Sequence, residues 1–136
     1  MEKSFELKAV AIGSLVNVGG KHVGDILGHL VVTITLVARG MTVDQLKLVP
    51  HHAAYLVWYL ICTFIFSALG GFAAAKIAQS RELLHAGATG LVRIALGPVM
   101  FAITQDEMPL WHSVLTYVSV LPAALLGGYL GRGKTC

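Results

Sequence analysis

The stretch AAYLVWYLICTFIFSALGGFAAAKIA, residues 53–78, decides the fold. It is apolar almost throughout, and its single charged residue, Lys76, stands close to its end. An α-helix needs about 20 mostly apolar residues to cross the ~30 Å hydrocarbon core of a bilayer. This stretch is long enough, and it therefore predicts a membrane-spanning helix.

Three further stretches extend this pattern over most of the chain, at residues 9–38, 83–104 and 111–131. The 136 residues are 56% hydrophobic and only 12% charged, whereas soluble proteins are about 25% charged. We predict an all-α membrane protein with four transmembrane helices in a bundle, a long first helix and both termini on the same side. The whole chain, 1–136, is predicted to form a single integral membrane domain.

The first span raises a question of length, because its apolar pieces, 9–20 and 26–38, are each too short to cross a bilayer alone. Read as one helix, the segment is ~45–50 Å long at ~1.5 Å per residue. A helix of that length has to tilt or protrude from the hydrocarbon core. The alternative is a re-entrant hairpin broken at Gly19-Gly20.

Basic residues indicate orientation, because the cytoplasmic loops of membrane proteins are enriched in Lys and Arg. With four spans, the side that holds both termini carries most of the basic residues: Lys3, Lys8, Lys76, Arg81, Arg132 and Lys134. The other side carries Arg39 and Lys47. The termini are therefore predicted to be cytoplasmic.

Three charged residues belong to neither membrane surface: Lys21, Asp25 and Arg93. Asp25 and Arg93 fall near the bilayer centre, where a charge costs at least ~2.5–3.5 kcal/mol on insertion scales. They are predicted to face the bundle interior and form an intramembrane pair, while Lys21 reaches the inner headgroups. Such a pair either fixes the helix register or lines a proton or ion path.

His22, Asp25 and His29 lie at i, i+3 and i+7 and so share one helical face. Imidazole and carboxylate groups are ligands for zinc and similar ions, which makes this face a candidate metal site. Haem between His22 and His29 is the related alternative. One helix does not surround an ion, so a further ligand would have to come from elsewhere.

Gly20, Gly24 and Gly28 form a GxxxGxxxG row on the first helix. Small residues let helix backbones approach closely in lipid, where no hydrophobic force drives helices together. The row predicts a helix-packing face, used within the chain, between copies or both.

Several function classes find no support in the sequence. It contains no Walker motif, no nucleophile–base arrangement and no paired carboxylates on a water-facing element. The net charge of +3 comes from scattered basic residues rather than from a cluster that would bind nucleic acid. We expect no enzyme activity, no cofactor and no nucleic-acid partner.

Three segments carry a resemblance: LKAVAIGSLVNVGG (7–20), LGGFAAAKIAQSRELLHAGATGLV (69–92) and PLWHSVLTYVSVLPAALLGGYLG (109–131). They resemble a group of small bacterial four-helix membrane proteins known mainly as hypothetical proteins of uncharacterised function. The resemblance implies four helices and a location in the bacterial cytoplasmic (inner) membrane. It implies no reaction.

Two hypotheses of function follow. The leading one is a non-enzymatic integral membrane protein that acts through helix packing, as a homo-oligomer or an accessory subunit of a membrane complex. Its expected partners are membrane lipid and either a second copy or another membrane protein. The alternative is a small transporter or channel in which Asp25, Arg93, His22 and His29 line a polar path.

Overall fold

The computed structural model describes residues 5–78, 80–104 and 108–132. These residues form four long α-helices: α1 (Leu7–Ala38), α2 (Ala53–Ile77), α3 (Glu82–Thr104) and α4 (Leu110–Gly131). A 3₁₀ helix, Val43–His51, links α1 to α2. Each of the four α-helices is long and apolar enough to cross a membrane. The predicted all-α bundle is confirmed, and the predicted spans match the observed helices closely.

Helix α1 runs without a break through Gly19 and Gly20, over 32 residues. The re-entrant hairpin is therefore wrong. A continuous helix bonds its own backbone groups, whereas a loop at membrane depth would leave N–H and C=O groups in hydrocarbon. At ~1.5 Å per residue, α1 is longer than the ~30 Å core that it has to cross.

Contacts between helices bring both described ends of the chain to one end of the bundle. Phe5 stacks on His85 of α3, with 4.8 Å between ring centroids. Gly131 of α4 packs against Phe72 near the end of α2. We call this end the terminal end, and the opposite end, where α2 and α4 begin, the loop end. The prediction that both ends of the chain lie on the same side is confirmed for Phe5 and Arg132.

Helix α2 packs against each of the other three α-helices. Helix α3 also packs against both α1 and α4, whereas within the described ranges α1 and α4 do not pack against one another. The two helices α1 and α3 run parallel from the terminal end to the loop end, and α2 and α4 return. This arrangement leaves α2 and α3 between α1 and α4.

Many side chains that the bundle buries are polar. Asn17, His85 and His112 are all 0% exposed. Large apolar side chains point outward instead, for example Leu15 and Ile103, which are 72% and 70% exposed. An apolar exterior faces lipid tails without cost, while polar groups need partners inside the bundle. The chain is therefore a multi-pass membrane protein.

Candidate intramembrane site

Small residues bring the helices into close contact in the half of the bundle nearer the terminal end, which we call the terminal half. A Cβ atom added at Gly13 of α1 would lie 2.6 Å from Thr89 Cγ2 in α3 and 2.7 Å from the Gly70 carbonyl oxygen in α2. Side chains in real structures essentially never approach so closely. Glycine is therefore the residue that fits where these three helices meet.

Helices α2 and α4 approach each other through two reciprocal contacts in the terminal half. A Cβ atom added at Gly71 would collide with the backbone of Ala124, and one added at Gly127 would collide with the backbone of Ala68. Each glycine follows an alanine of its own helix by one turn, so the same small-residue pair serves both helices. Because backbone does not yield as a flexible side chain does, a larger residue here would separate the helices.

The predicted glycine row of α1 faces α2. Gly20 packs on the ring of Phe66, and Gly28 packs on the indole of Trp58. A Cβ atom added at Gly24 would lie 3.0 Å from the Cys62 sulfur, and Trp58 Nε1–H donates a hydrogen bond of 2.9 Å to the Gly24 carbonyl. The row thus packs within the chain, and α2 occupies the face that a second copy would have needed.

Toward the loop end, the helices separate around a cavity of about 250 Å³ that residues of all four helices line. It reaches from Arg93 and Val120, midway along α3 and α4, to Met108 and Ser113 near the loop end. We call this part of the bundle the loop half. The lining residues that carry a charge or a titratable ring are Lys21, His22, Asp25, Tyr55, Tyr59, Arg93, His112 and Tyr117.

Lys21 and Asp25 form an ion pair one helical turn apart on α1. Lys21 is 5% exposed, and its Nζ also lies 3.4 Å from the centroid of the Tyr59 ring, a cation–π contact. The prediction that Lys21 reaches the headgroups is wrong. The i,i+4 spacing of Lys21 and Asp25 was the available signal, since such pairs meet on one helical face.

Arg93 takes a different partner from the one predicted. Its Nη1 donates hydrogen bonds of 3.2 Å to both the backbone oxygen and Oδ1 of Asn17. The predicted direct ion pair between Asp25 and Arg93 is therefore wrong for the described residues, although both side chains line the same cavity. The physical reason is proximity, because Asp25 has a nearer cation, Lys21, on its own helix.

Asn17 is the residue of this site that the sequence patterns did not single out as a hydrogen-bonding partner. It is fully buried, and its Oδ1 accepts hydrogen bonds from Ser67 of α2 and Arg93 of α3. One side chain thus connects three helices at the boundary between the terminal half and the cavity. An amide in an otherwise apolar part of α1 was the signal, since buried polar groups in lipid require partners.

The predicted face of His22, Asp25 and His29 is divided between two surroundings. His22 lines the cavity, whereas His29 packs edge-on against Tyr55, 5.5 Å between centroids, with its Nδ1 3.5 Å from the Thr33 hydroxyl. Among the described residues, no three His, Cys, Asp or Glu side chains are placed to hold a metal ion. The described residues therefore give no geometric support to a three-ligand metal site on this face.

Two buried acceptors in the lining stand without a hydrogen-bond partner in the described part of the chain: Asp25 Oδ1 and His112 Nδ1. His112 Nε2 lies 3.0 Å from the Leu56 carbonyl oxygen. Because a carbonyl only accepts, Nε2 carries the proton, and Nδ1 of the neutral ring is then an acceptor. The cavity accordingly offers donors at Arg93 and acceptors at Asp25 and His112.

The donors and acceptors of this cavity stand on three different helices, with Asp25 on α1, Arg93 on α3 and His112 on α4. Charged and polar groups from these helices converge on a partly open cavity within the bundle. Ionisable side chains at this depth are costly, and in membrane proteins they typically mark substrate or ion pathways.

No protein-family model, curated protein or solved structure matches this chain. The resemblance to small bacterial four-helix membrane proteins stays a prediction.

Proposed function

We propose that the protein is a small non-enzymatic transporter that admits a polar solute from the loop end to the intramembrane cavity and passes it across the membrane. The observation that carries this proposal is the cavity of about 250 Å³, lined by charged and polar side chains from four membrane-spanning helices. Between the two hypotheses drawn from the sequence, the structure favours the transporter, since the glycine row behind the packing hypothesis is covered by α2.

The unequal halves of the bundle also support transport. Carriers hold a site near the bilayer midplane open to one side and closed to the other, and rocking of helices exchanges the two states. Here the site reaches mid-helix from the loop end, and the contacts around Gly13, Gly71 and Gly127 form the closed side. In the proposed mechanism these small-residue contacts separate when the site opens to the terminal end.

Flux into proteoliposomes tests the proposal. Purified protein is reconstituted, and the uptake of small anionic, neutral and cationic solutes is compared with uptake into empty liposomes. Ser113 lines the part of the cavity nearest the loop end, so Ser113→Trp is expected to block flux. Val114, its neighbour, is 51% exposed on the outer face, so Val114→Trp is expected to leave flux unchanged. Absence of flux for every solute with correctly folded protein would contradict the proposal.

The proposed orientation puts the terminal end in the cytoplasm, in a bacterial inner membrane. The excess of Lys and Arg at that end supports the orientation. The resemblance to small bacterial four-helix membrane proteins supports a location in the inner membrane. We expect a reporter fused after Cys136 to lie on the cytoplasmic side of the membrane and to be active there. Activity of that reporter on the outer side of the membrane would reverse the proposed direction of opening.

Self-association, or membership of a larger membrane complex, is the second candidate. The observation that favours it is Gly19 of α1, where an added Cβ atom would meet only a Leu15 carbon of the same helix, so a helix of another chain has room for close approach there. Native mass spectrometry after gentle extraction tests it. A defined oligomer or a bound second polypeptide would support this candidate, and a monomer that carries only lipid would contradict it.

A further inference from the structure

We propose that the cavity binds a small carboxylate monoanion that also carries a hydrogen-bond donor, such as a 2-hydroxy acid, and that Arg93 holds the carboxylate. This inference rests on the proposed function and deepens it by naming the substrate class.

The charges in the lining favour an anion. Lys21 and Asp25 neutralise each other as an ion pair, and the hydrogen bonds of Arg93 go to the neutral Asn17. Asp25 is the sole carboxylate among the described residues that line the cavity. One positive charge therefore remains in excess midway through the bundle, where an unbalanced charge is costly. A bound monoanion balances it.

The shape of Arg93 favours a carboxylate among small anions. Both hydrogen bonds to Asn17 leave from Nη1 and hold the guanidinium in place at the inner end of the cavity. The same planar group also carries the N–H donors of Nη2 and Nε. A planar guanidinium matches the two oxygens of a carboxylate, which gives a bidentate contact.

The unpartnered acceptors favour a ligand that also donates. His112 is 0% exposed, lines the cavity and has a buried Nδ1 without a partner in the described chain. The Oδ1 atom of Asp25 is also buried and without a partner in the described chain. A buried acceptor that stays unpaired loses the free energy of its hydration, so a ligand hydroxyl that bonds to it is favoured. The volume, about 250 Å³, limits the ligand to a small molecule, since a liquid water takes ~30 Å³.

Equilibrium binding of three-carbon probes to the purified protein in detergent tests the inference without any substitution. Lactate combines a carboxylate with a hydroxyl, propionate lacks the hydroxyl, and lactamide lacks the charge. Lactate is expected to bind saturably and propionate at least about 10-fold more weakly, the effect of one buried hydrogen bond. Lactamide is expected not to bind. Binding of lactamide as tight as that of lactate would overturn the assignment of a monoanion. Alanine, a zwitterion without net charge, is a fourth probe, and tighter binding of alanine than of lactate would overturn it too.

Variants of Arg93 supply the second test. Arg93→Lys keeps the charge but loses the planar fork, so it is expected to weaken lactate binding about 10-fold. Arg93→Gln is expected to abolish binding, and circular dichroism checks that each variant is folded. Lactate binding that survives unchanged in a folded Arg93→Gln protein would overturn the inference.

The two proposals fail in different ways. If a neutral or cationic solute crosses proteoliposomes, is blocked by Ser113→Trp, and lactate does not bind, the substrate class is wrong and transport stands. If lactate binds through Arg93 but no solute crosses the bilayer, the binding site stands and transport is wrong.

Discussion

The terminal half and the loop half of the bundle differ in the side chains that stand between their helices. In the terminal half, Gly13, Gly71 and Gly127 let helix backbones touch. In the loop half, charged and aromatic side chains such as Arg93 and Tyr59 keep the helices apart around a cavity. Lipid supplies no hydrophobic force between helices. Close packing of small residues therefore holds the terminal half together, whereas hydrogen bonds and ion pairs have to satisfy the polar groups of the loop half.

The boundary between the halves is where the two kinds of interaction meet. Asn17 lies one turn beyond Gly13 on α1 and is hydrogen-bonded to α2 and α3. The next turn of α1 brings Lys21, and the turn after it brings Asp25. Helix α1 therefore changes along one face from a packing surface to a polar lining, and this change sets the depth of the cavity.

The largest expected effect comes from filling the terminal half. Gly127→Leu would drive a side chain into the backbone of Ala68 and is expected to destabilise the bundle by about 3 kcal/mol or more. The control is Gly19→Leu, since a Cβ there meets only a Leu15 carbon, 3.9 Å away, within its own helix. Unfolding in detergent, followed by circular dichroism, measures both. Equal stability of the two variants would contradict the close-packed description of the terminal half.

The next largest loss of stability is expected from a substitution at the boundary between the two halves. Asn17→Leu removes Oδ1, the side-chain acceptor that Arg93 and Ser67 share, and leaves the guanidinium only the backbone oxygen of residue 17, so it is expected to cost about 2 kcal/mol. Replacing both residues, Asn17→Leu with Arg93→Leu, removes the unsatisfied charge as well and is expected to recover most of that stability. A double variant less stable than Asn17→Leu alone would show that the bond to Arg93 is not what makes Asn17 important.

The sequence predicts the fold far better than it predicts the site. Long apolar segments bounded by charged or turn residues determine the four spans directly, because membrane thickness fixes the length of a helix. Depth along the helix predicts that Asp25 and Arg93 lie at similar levels of the bundle, and both line one cavity. The partner of each charge depends on how the helices rotate about their axes, and hydropathy does not carry that information. Asn17 and Lys21 were therefore assigned no pairing role.

A third prediction separates the observed pairing from the one expected from depth alone. In double-mutant cycles, Lys21→Met with Asp25→Asn is expected to show a coupling of about 2 kcal/mol, since the two groups form a buried ion pair. The cycle of Asp25→Asn with Arg93→Gln is expected to show a smaller coupling. A larger coupling for the second cycle would restore the pairing of Asp25 with Arg93.

The smallest expected effect tests the packing of α1 on α2. Trp58→Phe removes the hydrogen bond from Trp58 Nε1 to the Gly24 carbonyl and is expected to cost about 1 kcal/mol. Trp111→Phe is the control, because Trp111 is 54% exposed on the outside of α4. The difference in unfolding free energy between the two variants measures the bond, and a difference of zero would mean that it adds no net stability.

The central claim, that a polar cavity opens toward the loop end and that small residues close the terminal half, is tested most directly by cysteine labelling in intact membranes. Single cysteines are placed by Ser113→Cys in the cavity, Val114→Cys on the lipid-facing side and Thr89→Cys in the terminal half, in a Cys62→Ala, Cys136→Ser background. A hydrophilic, membrane-impermeant thiol reagent is predicted to modify Ser113→Cys and to leave the other two unmodified. Protection of Ser113→Cys, or modification of Thr89→Cys at a similar rate, would contradict the account.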